Sequence, residues 1–294
     1  MKVLIGSDVD PKLPQLLRES PPGDIWEPLD NVPRLMRALG SELPPITWLI
    51  RADETIRFAT GDYASGYTSR RPMWTDLRNR EHELGWHMHL LGMDESVGAF
   101  VFEPEPAWLP AAHEALSRHF AIHATRTGWD YGSDFLFGQL DELGIDLDFS
   151  ALPGSRGWYE IGPTRIVTDW LNTPRTIYRP SRGDYRRPGP DELRLIEVPI
   201  SPFAQPAVGA ARRLAWRLLH GCFSLVGLFT RIKLITDRWT SLPVAGCDVW
   251  AFYFHPEDLT EAGIVNFVAN LERLRSAGAE FVTAQSLLRT YASH

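Results

Sequence analysis

The chain begins with MKVLIGSDVD, residues 1–10, a short apolar run that leads directly into two aspartates. A run of this length and composition predicts a buried β-strand over residues 2–7. No glycine-rich phosphate loop follows the strand, which disfavours a nucleotide-binding doubly wound sheet. Asp8 and Asp10 therefore follow the first predicted strand, at the end where parallel α/β folds place their functional groups.

Similar apolar runs recur along the whole chain and alternate with helical patterns. Further strands are predicted at residues 46–51, 84–89, 121–126, 145–150, 193–200, 248–255 and 280–284. Apolar residues at three- and four-residue spacing predict helices within residues 31–40, 107–120, 134–144 and 263–278. Glycine stands at helix-stop positions at Gly40, Gly144 and Gly278. This α/β alternation predicts a closed or partly closed parallel barrel, in a single domain over residues 1–294.

Residues 151–192 break this alternation, because they are rich in Pro, Gly and Arg and carry little helical pattern. We expect an irregular insertion here, of the kind that often covers a functional site. Its arginines suit either an anionic ligand group or a solvated loop; they are Arg179, Arg182, Arg186 and Arg187.

Charge and cysteine content limit the possible partners. A formal net charge of −7 disfavours an electrostatic grip on nucleic acid or on an anionic membrane surface, so we expect no nucleic-acid partner. Cys222 and Cys247 are too few for a disulfide framework, and buried thiols are expected.

The most apolar window, residues 217–235, is interrupted by Arg231 and Lys233. Its apolar part is too short to span a bilayer, which takes about 20 apolar residues. A buried helix pair or an interfacial helix would explain the window. The first residues lack the apolar stretch and cleavage site of a secretory signal. We therefore expect a cytoplasmic protein with no transmembrane segment.

Three predicted strands end in residue types that bind metals. Asp8 and Asp10 follow the first strand, His87 and His89 end the third, and His255 ends a late one. Residues two apart on an extended chain point to the same face, so each pair can aim together. Two imidazoles and a carboxylate are the ligand set of a catalytic zinc, which lowers the pKa of bound water towards ~7. The same ligand set also accepts divalent cobalt, nickel, manganese or iron.

Each signal has another interpretation when it is taken alone. A histidine at a strand end is often a hydrogen-bonded packing residue, and paired aspartates also occur in metal-phosphate and sugar-nucleotide sites. The hypothesis of a single metal centre depends on a barrel that brings the three strand ends together.

Five stretches occur in a characteristic order: SDVD (7–10), HELGWHMHL (82–90), TRTGWDYGSDFLFGQLDELGIDLDFS (125–150), LIEVPIS (195–201) and FYFHPEDL (252–259). Together they resemble the ordered motifs of the NodB-homology polysaccharide deacetylases, carbohydrate esterase family 4, over nearly the whole chain. The resemblance implies a deformed (β/α)7 barrel. It also implies metal-dependent removal of N-acetyl groups from amino sugars, with zinc or another divalent ion as the cofactor.

The resemblance further implies a role for each candidate residue. Asp8 would be the general base, Asp10 the metal-binding carboxylate, His87 and His89 the histidine ligands, His255 the general acid, and Arg126 the residue that orients the base.

Some positions depart from the family pattern. Val9 separates two aspartates that the family has side by side, which leaves open which aspartate is base and which is ligand. The histidines are two residues apart instead of four, and position 91, four residues after His87, is Leu91. The tripeptide TDW at 168–170 resembles the family's Asp-Trp motif.

By the same resemblance, the substrate is an amino sugar, or a sugar-containing intracellular metabolite, that bears an N-acyl group. Its predicted contacts are Trp129, Tyr131, Asp169 and Trp170, with core packing as the alternative for the tryptophans. Two other functions stay open: a metal-dependent amidohydrolase acting on a non-sugar amide, and a catalytically silent family member that binds a glycan. The oligomeric state is not predicted.

Overall fold

The structure alternates strands and helices along the chain. The computed structural model describes residues 1–13, 23–161, 164–201, 203–204, 229–230, 239, 247 and 249–291. Its strands are β1 (Lys2–Val9), β2 (Thr47–Arg51), β3 (Glu83–Met88), β4 (Leu91–Asp94), β5 (Ala99–Phe102), β6 (Ala124–Thr127), β7 (Leu147–Asp148), β8 (Arg156–Ile161), β9 (Thr164–Asp169), β10 (Ile196–Glu197), β11 (Phe203–Ala204), β12 (Phe229–Thr230), β13 (Val249–Phe254) and β14 (Glu280–Val282). Its α-helices are α1 (Val32–Leu39), α2 (Glu54–Thr60), α3 (Ser65–Thr68), α4 (Arg71–Asn79), α5 (Leu109–Ser117), α6 (Asp134–Glu142), α7 (Glu261–Ser276) and α8 (Ala284–Tyr291).

Seven parallel strands form the central sheet, in the order β10–β7–β6–β3–β2–β1–β13. An eighth strand, β14, pairs with residues 2–4 of β1, whereas residues 6–9 of β1 pair with β2. Strands β2 and β13 are buried along their whole length. Such strands consist of continuous apolar runs because both faces of a parallel sheet are covered.

The two edges of the sheet meet just beyond β10. Ile200 forms a parallel bridge with Ala251 of β13. The backbone N–H of Ser201 donates to the Ala251 carbonyl at 2.9 Å, and the Ala251 N–H donates to Ser201 Oγ at 3.0 Å. The sheet therefore curls into a deformed (β/α)7 barrel, which confirms the predicted fold.

The predicted strands and helices all coincide with observed elements. The four helices predicted from apolar spacing are α1, α5, α6 and α7. The three glycines expected to end helices, Gly40, Gly144 and Gly278, have φ values of 53°, 79° and 78°. Residues with a side chain rarely adopt this left-handed conformation, which explains why glycine ends these helices.

Two antiparallel hairpins, β4–β5 and β8–β9, are not predicted from the sequence. The second lies within residues 151–192, so the insertion begins as an ordered hairpin instead of irregular chain. Its Trp158 and Val167 pair across the strands and are both exposed. An exposed hairpin carries little of the apolar signal by which buried strands are recognised.

Among the described residues, none of the helices combines the length and the apolar character that crossing a bilayer requires. Cys247 is buried, as expected. Cys222 and most of the apolar window 217–235 lie outside the described residues.

Closure of the barrel at Ser201 can be tested by Ser201→Ala. The substitution leaves the buried N–H of Ala251 without its acceptor, so we expect the free energy of unfolding to fall by about 1–3 kcal/mol. Urea unfolding followed by circular dichroism measures the change. The control is Ser276→Ala on the exposed end of α7, where the hydroxyl only donates to a helix carbonyl. Equal stability of the two variants would contradict the role of Ser201.

Candidate active site

The structure brings the predicted catalytic and metal-binding residues together at one rim of the barrel. Each ends or follows a parallel strand: Asp8 and Asp10 at β1, His87 and His89 at β3, Arg126 in β6, and His255 after β13. Parallel strands have their carboxyl ends at the same rim, so residues far apart in sequence become neighbours.

Asp10, His87 and His89 form a cluster of three possible metal ligands. The two Nε2 atoms are 3.1 Å apart, and Asp10 Oδ1 lies 3.7 Å from His87 Nε2 and 3.6 Å from His89 Nε2. Ligand bonds of 2.0–2.1 Å in a tetrahedral zinc site separate the donor atoms by about 3.3 Å. The three donors therefore fit a four-coordinate divalent metal with one position left open.

His87 is oriented by a carbonyl group on the neighbouring strand. Its Nδ1 lies 2.6 Å from the carbonyl oxygen of Arg126. A carbonyl only accepts, so Nδ1 carries the proton and Nε2 keeps the lone pair that a metal ligand needs.

His89 is enclosed by the turn after β6. Its ring lies 4.2 Å from the ring of Trp129, centroid to centroid. A Cβ atom on Gly128 would lie 2.2 Å from His89 Cδ2, so only glycine leaves room for the imidazole. Burial, and then the charge of Arg51, hold the pKa of His89 well below its ordinary 6.5. The neutral imidazole that metal binding requires is thus the stable form.

Arg51 and Asp53 belong to the site although their sequence positions do not predict it. Arg51 Nη1 donates to Asp10 Oδ1 at 3.1 Å, and Arg51 Nε donates to Asp53 Oδ2 at 2.7 Å. Burial raises the pKa of Asp10, but the neighbouring rings of His87 and His89 and the positive charge of Arg51 outweigh burial and lower that pKa. The sequence feature that could have indicated them is the charged pair Arg51 and Asp53, which comes just after the buried run ITWLI at the end of β2.

Arg126 lies between two buried carboxylates. It donates to Asp8 through Nη1 and to Asp130 through Nη2, and all three side chains are at most 3% exposed. The guanidinium also covers the ring of Tyr253 at 3.6 Å. The network holds Asp8 in a fixed position at the base of the site.

Backbone strain places Asp130 next to Arg126. Trp129 and Asp130 have φ values of 58° and 54°, in the left-handed region that side chains disfavour. Strained residues of this kind cluster at functional sites, where the surrounding contacts hold them. One such contact is the indole N–H of Trp170, which donates to the Asp130 carbonyl at 2.7 Å.

His255 contacts both aspartates of the first strand end. Its Nε2 lies 3.7 Å from Asp8 Oδ2 and 3.6 Å from Asp10 Oδ2. On its other side, Nδ1 lies 3.4 Å from Asp258 Oδ2, which also accepts the backbone N–H of His255 at 3.0 Å. Asp258, which was not predicted as a site residue, thus fixes the imidazole over the two aspartates.

Two further carboxyl groups lie buried in the barrel. Asp148 and Glu197 are completely inaccessible and close enough to interact electrostatically. Burial raises the pKa of both, and the charge of Asp148 raises that of Glu197 further, to well above its ordinary 4.5. Glu197 therefore binds a proton more tightly in the folded protein than in the unfolded chain.

The four predicted substrate contacts occupy different surroundings. Trp129 lies against His89, and Tyr131 is buried against Phe102. The carboxylate of Asp169 accepts from Arg186 at 3.0 Å. Trp170 is completely buried, so its ring offers no open face to a sugar and instead supports the Asp130 carbonyl.

The fold and the site together define an α/β barrel with a candidate divalent-metal centre at its strand ends. No protein-family model matches the sequence, and no curated protein matches it at a significant level.

Solved structures that are similar to this chain include the following two. One is a Bordetella bronchiseptica protein, provisionally described as a polysaccharide deacetylase involved in O-antigen biosynthesis; identity is 10%, coverage is 94% of this chain and 90% of that chain, and the TM-score is 0.43. The other is a 4-alpha-glucanotransferase from Thermococcus litoralis; identity is 10%, coverage is 98% of this chain and 38% of that chain, and the TM-score is 0.44. At these values neither likeness bears on the activity of this chain.

Arg126→Met tests the buried ion network. The substitution leaves Asp8 and Asp130 buried without their cation, so we expect a loss of about 3–5 kcal/mol in the free energy of unfolding. Arg165→Met is the control, since Arg165 forms an exposed pair with Glu160 on the β8–β9 hairpin and should change stability little. Similar unfolding midpoints in urea for the two variants would refute the network.

Glu197→Gln tests the proton on Glu197. The folded state holds this proton more tightly than the unfolded chain, so Glu197 stabilises the fold fully below pH 4.5 and loses that contribution as pH rises. Glutamine keeps its N–H donors at every pH, so we expect the stability of the variant to fall less steeply than that of wild type as the pH rises above 4.5.

The pH profile is measured by urea unfolding, with the exposed Glu160→Gln as the control. A variant whose stability falls with rising pH as steeply as that of wild type would contradict the proton on Glu197.

Proposed function

We propose that this chain is a metal-dependent hydrolase that removes an N-acyl group, most simply N-acetyl, from an amino sugar. The observation that supports this proposal is the convergence of Asp10, His87 and His89 within metal-binding distance of one another. A carboxylate, Asp8, and an imidazole, His255, adjoin the cluster and supply the two proton-transfer groups that amide hydrolysis requires.

A divalent metal, zinc by preference, would be held by Asp10, His87 and His89, where it would acidify a bound water and polarise the amide carbonyl. Both histidines are suited to this role. His87 presents a lone pair at Nε2, and burial keeps His89 neutral.

Asp8 takes the proton of the attacking water in this proposal. Its Oδ2 is held by Arg126, whereas its buried Oδ1 has no hydrogen-bond partner among the described residues. The arginine occupies Oδ2, and Oδ1 is left to accept the proton. Asp10, which lies nearer the two histidines, is then the ligand.

His255 donates a proton to the departing amine nitrogen. The carboxylates of Asp8, Asp10 and Asp258 all lie within 3.7 Å of its ring nitrogens and hold the imidazole at the site. Protonation matters because an amine leaves poorly as an anion.

Trp129 is the substrate contact we propose beside the metal ligands. It is only partly buried and lies against His89, so a sugar ring bearing the acyl group can pack on it. Trp170 acts behind the site in this proposal, because its indole N–H positions the Asp130 carbonyl; Tyr131 and Asp169 remain proposed substrate contacts.

Metal content is the first test of this function. We expect near-stoichiometric divalent metal, measured by mass spectrometry on protein purified without added metal, and its loss in the double variant His87→Ala/His89→Ala. The control is His123→Ala, a partly exposed histidine that pairs with Asp146 away from the site. Absence of metal even after zinc or cobalt is added would overturn the proposal.

Acetate release from N-acetylated sugars and oligosaccharides then tests the reaction. Asp8→Asn and His255→Gln should retain the metal and lose about 10²–10⁴-fold in kcat/KM. Full activity in either variant would remove that residue from the mechanism.

A further inference from the structure

The segment of residues 51–53, which begins with the last residue of β2, contacts every residue of the candidate metal cluster. Arg51 makes the contact to Asp10, with Nη1 at 3.1 Å from Oδ1. The same guanidinium donates through Nε to Asp53 at 2.7 Å and through Nη2 to Thr55 Oγ1 at 2.9 Å. Each of its three nitrogens thus has a protein acceptor, and the side chain is only 10% exposed. Arg51 is therefore placed to position Asp10 and not to bind substrate.

The next two residues of the segment hold the two histidines. The backbone N–H of Ala52 donates to the His87 carbonyl at 3.0 Å. The backbone N–H of His89 donates to Asp53 Oδ2 at 3.0 Å. His89 lies one residue beyond the end of β3, so the sheet alone does not fix its backbone.

Asp53 joins the segment to helix α2 through its other oxygen. Oδ1 accepts the backbone N–H groups of Thr55 at 3.0 Å and Ile56 at 3.2 Å, and so caps the helix. The carboxylate is completely buried. One side chain therefore divides its two oxygens between the helix cap and the links to Arg51 and His89.

We propose that residues 51–53 form a bracket that positions all three metal ligands and thereby sets the affinity and coordination geometry of the metal. The inference rests on the proposed function, because it takes Asp10, His87 and His89 as the ligands. Residues that orient metal ligands in this way typically contribute about 10- to 100-fold to metal affinity.

Two variants together separate positioning from charge. Arg51→Lys keeps the positive charge next to Asp10, so a loss of metal affinity in this variant reports positioning. Asp53→Asn removes a negative charge, which by itself weakens cation binding, so its cobalt spectrum is needed beside its affinity to report ligand geometry.

Asp53→Asn is the most selective variant. Asparagine is as good an N-cap as aspartate, so its oxygen can replace Oδ1 and preserve α2. The amide nitrogen then replaces Oδ2 and cannot accept from Arg51 or His89. Arg51→Lys is the second variant; it keeps the charge but has a single ammonium in place of the three nitrogens that bridge Asp10, Asp53 and Thr55.

The matched control is Thr55→Val. Thr55 belongs to the same buried cluster and contacts Arg51 and Asp53 but none of the three ligands. Its variant reports the effect of weakening the cluster while the contacts to Asp10 and His89 remain.

The measurements are the zinc dissociation constant, by competition with a chromophoric chelator, and the visible spectrum of the cobalt-loaded protein. We expect Asp53→Asn and Arg51→Lys to bind zinc about 10- to 100-fold more weakly than wild type, and Thr55→Val to bind as wild type does. The cobalt bands should change in the first two variants only, because they report ligand geometry and not stability.

Unchanged or tighter zinc binding in Asp53→Asn would overturn the bracket while leaving the metal site and the proposed function intact. Should Arg51→Lys fail to fold, the zinc affinity and the cobalt spectrum of Asp53→Asn decide together. A wild-type protein that binds neither zinc nor cobalt would overturn the proposed function and the bracket together.

Discussion

The charge of Arg126 is the constraint on which the rest of the site depends. From β6 it reaches the carboxylate of Asp8 in β1, 118 residues away in sequence, with β2 and β3 between them in the sheet. Asp130 and the ring of Tyr253 complete its surroundings, and its own carbonyl orients His87. A buried charge is costly unless it is paired, so this arrangement favours only a curled sheet that brings β1, β6 and β13 together.

The site repeats this arrangement around a second arginine. Each arginine contacts two aspartates: Arg126 contacts Asp8 and Asp130, and Arg51 contacts Asp10 and Asp53. Four carboxylates against two guanidinium groups leave two negative charges, the amount that one divalent cation neutralises. The location of this excess negative charge is also informative, because Asp10 is the most exposed of the four aspartates and lies next to the imidazoles of His87 and His89. The electrostatics and the donor geometry thus indicate the same place for a metal.

The parts of this structure that can be predicted are those encoded within a few residues. Buried parallel strands are continuous apolar runs, so β1 and β13 and the polar residues at their ends are recognisable from the sequence. The pairing of Arg51 with Asp10 spans 41 residues and depends on β1 and β2 being neighbours in the sheet. No local sequence pattern predicts which strands are neighbours. Trp170 illustrates the opposite error. A tryptophan in an irregular segment resembles a sugar-binding residue, but its surroundings bury it completely.

The spacing of the site residues follows from the pleat of the strands. Val9 and Met88, the residues between the paired aspartates and the paired histidines, are both completely buried in the hydrophobic core. Because alternate residues of an extended chain point to opposite faces, each buried side chain anchors a pair of functional groups on the other face. A pair two residues apart therefore places one member within the strand and the other just beyond it, where sheet hydrogen bonds end. The outer member then needs support from elsewhere in the chain, and for His89 that support comes from Asp53.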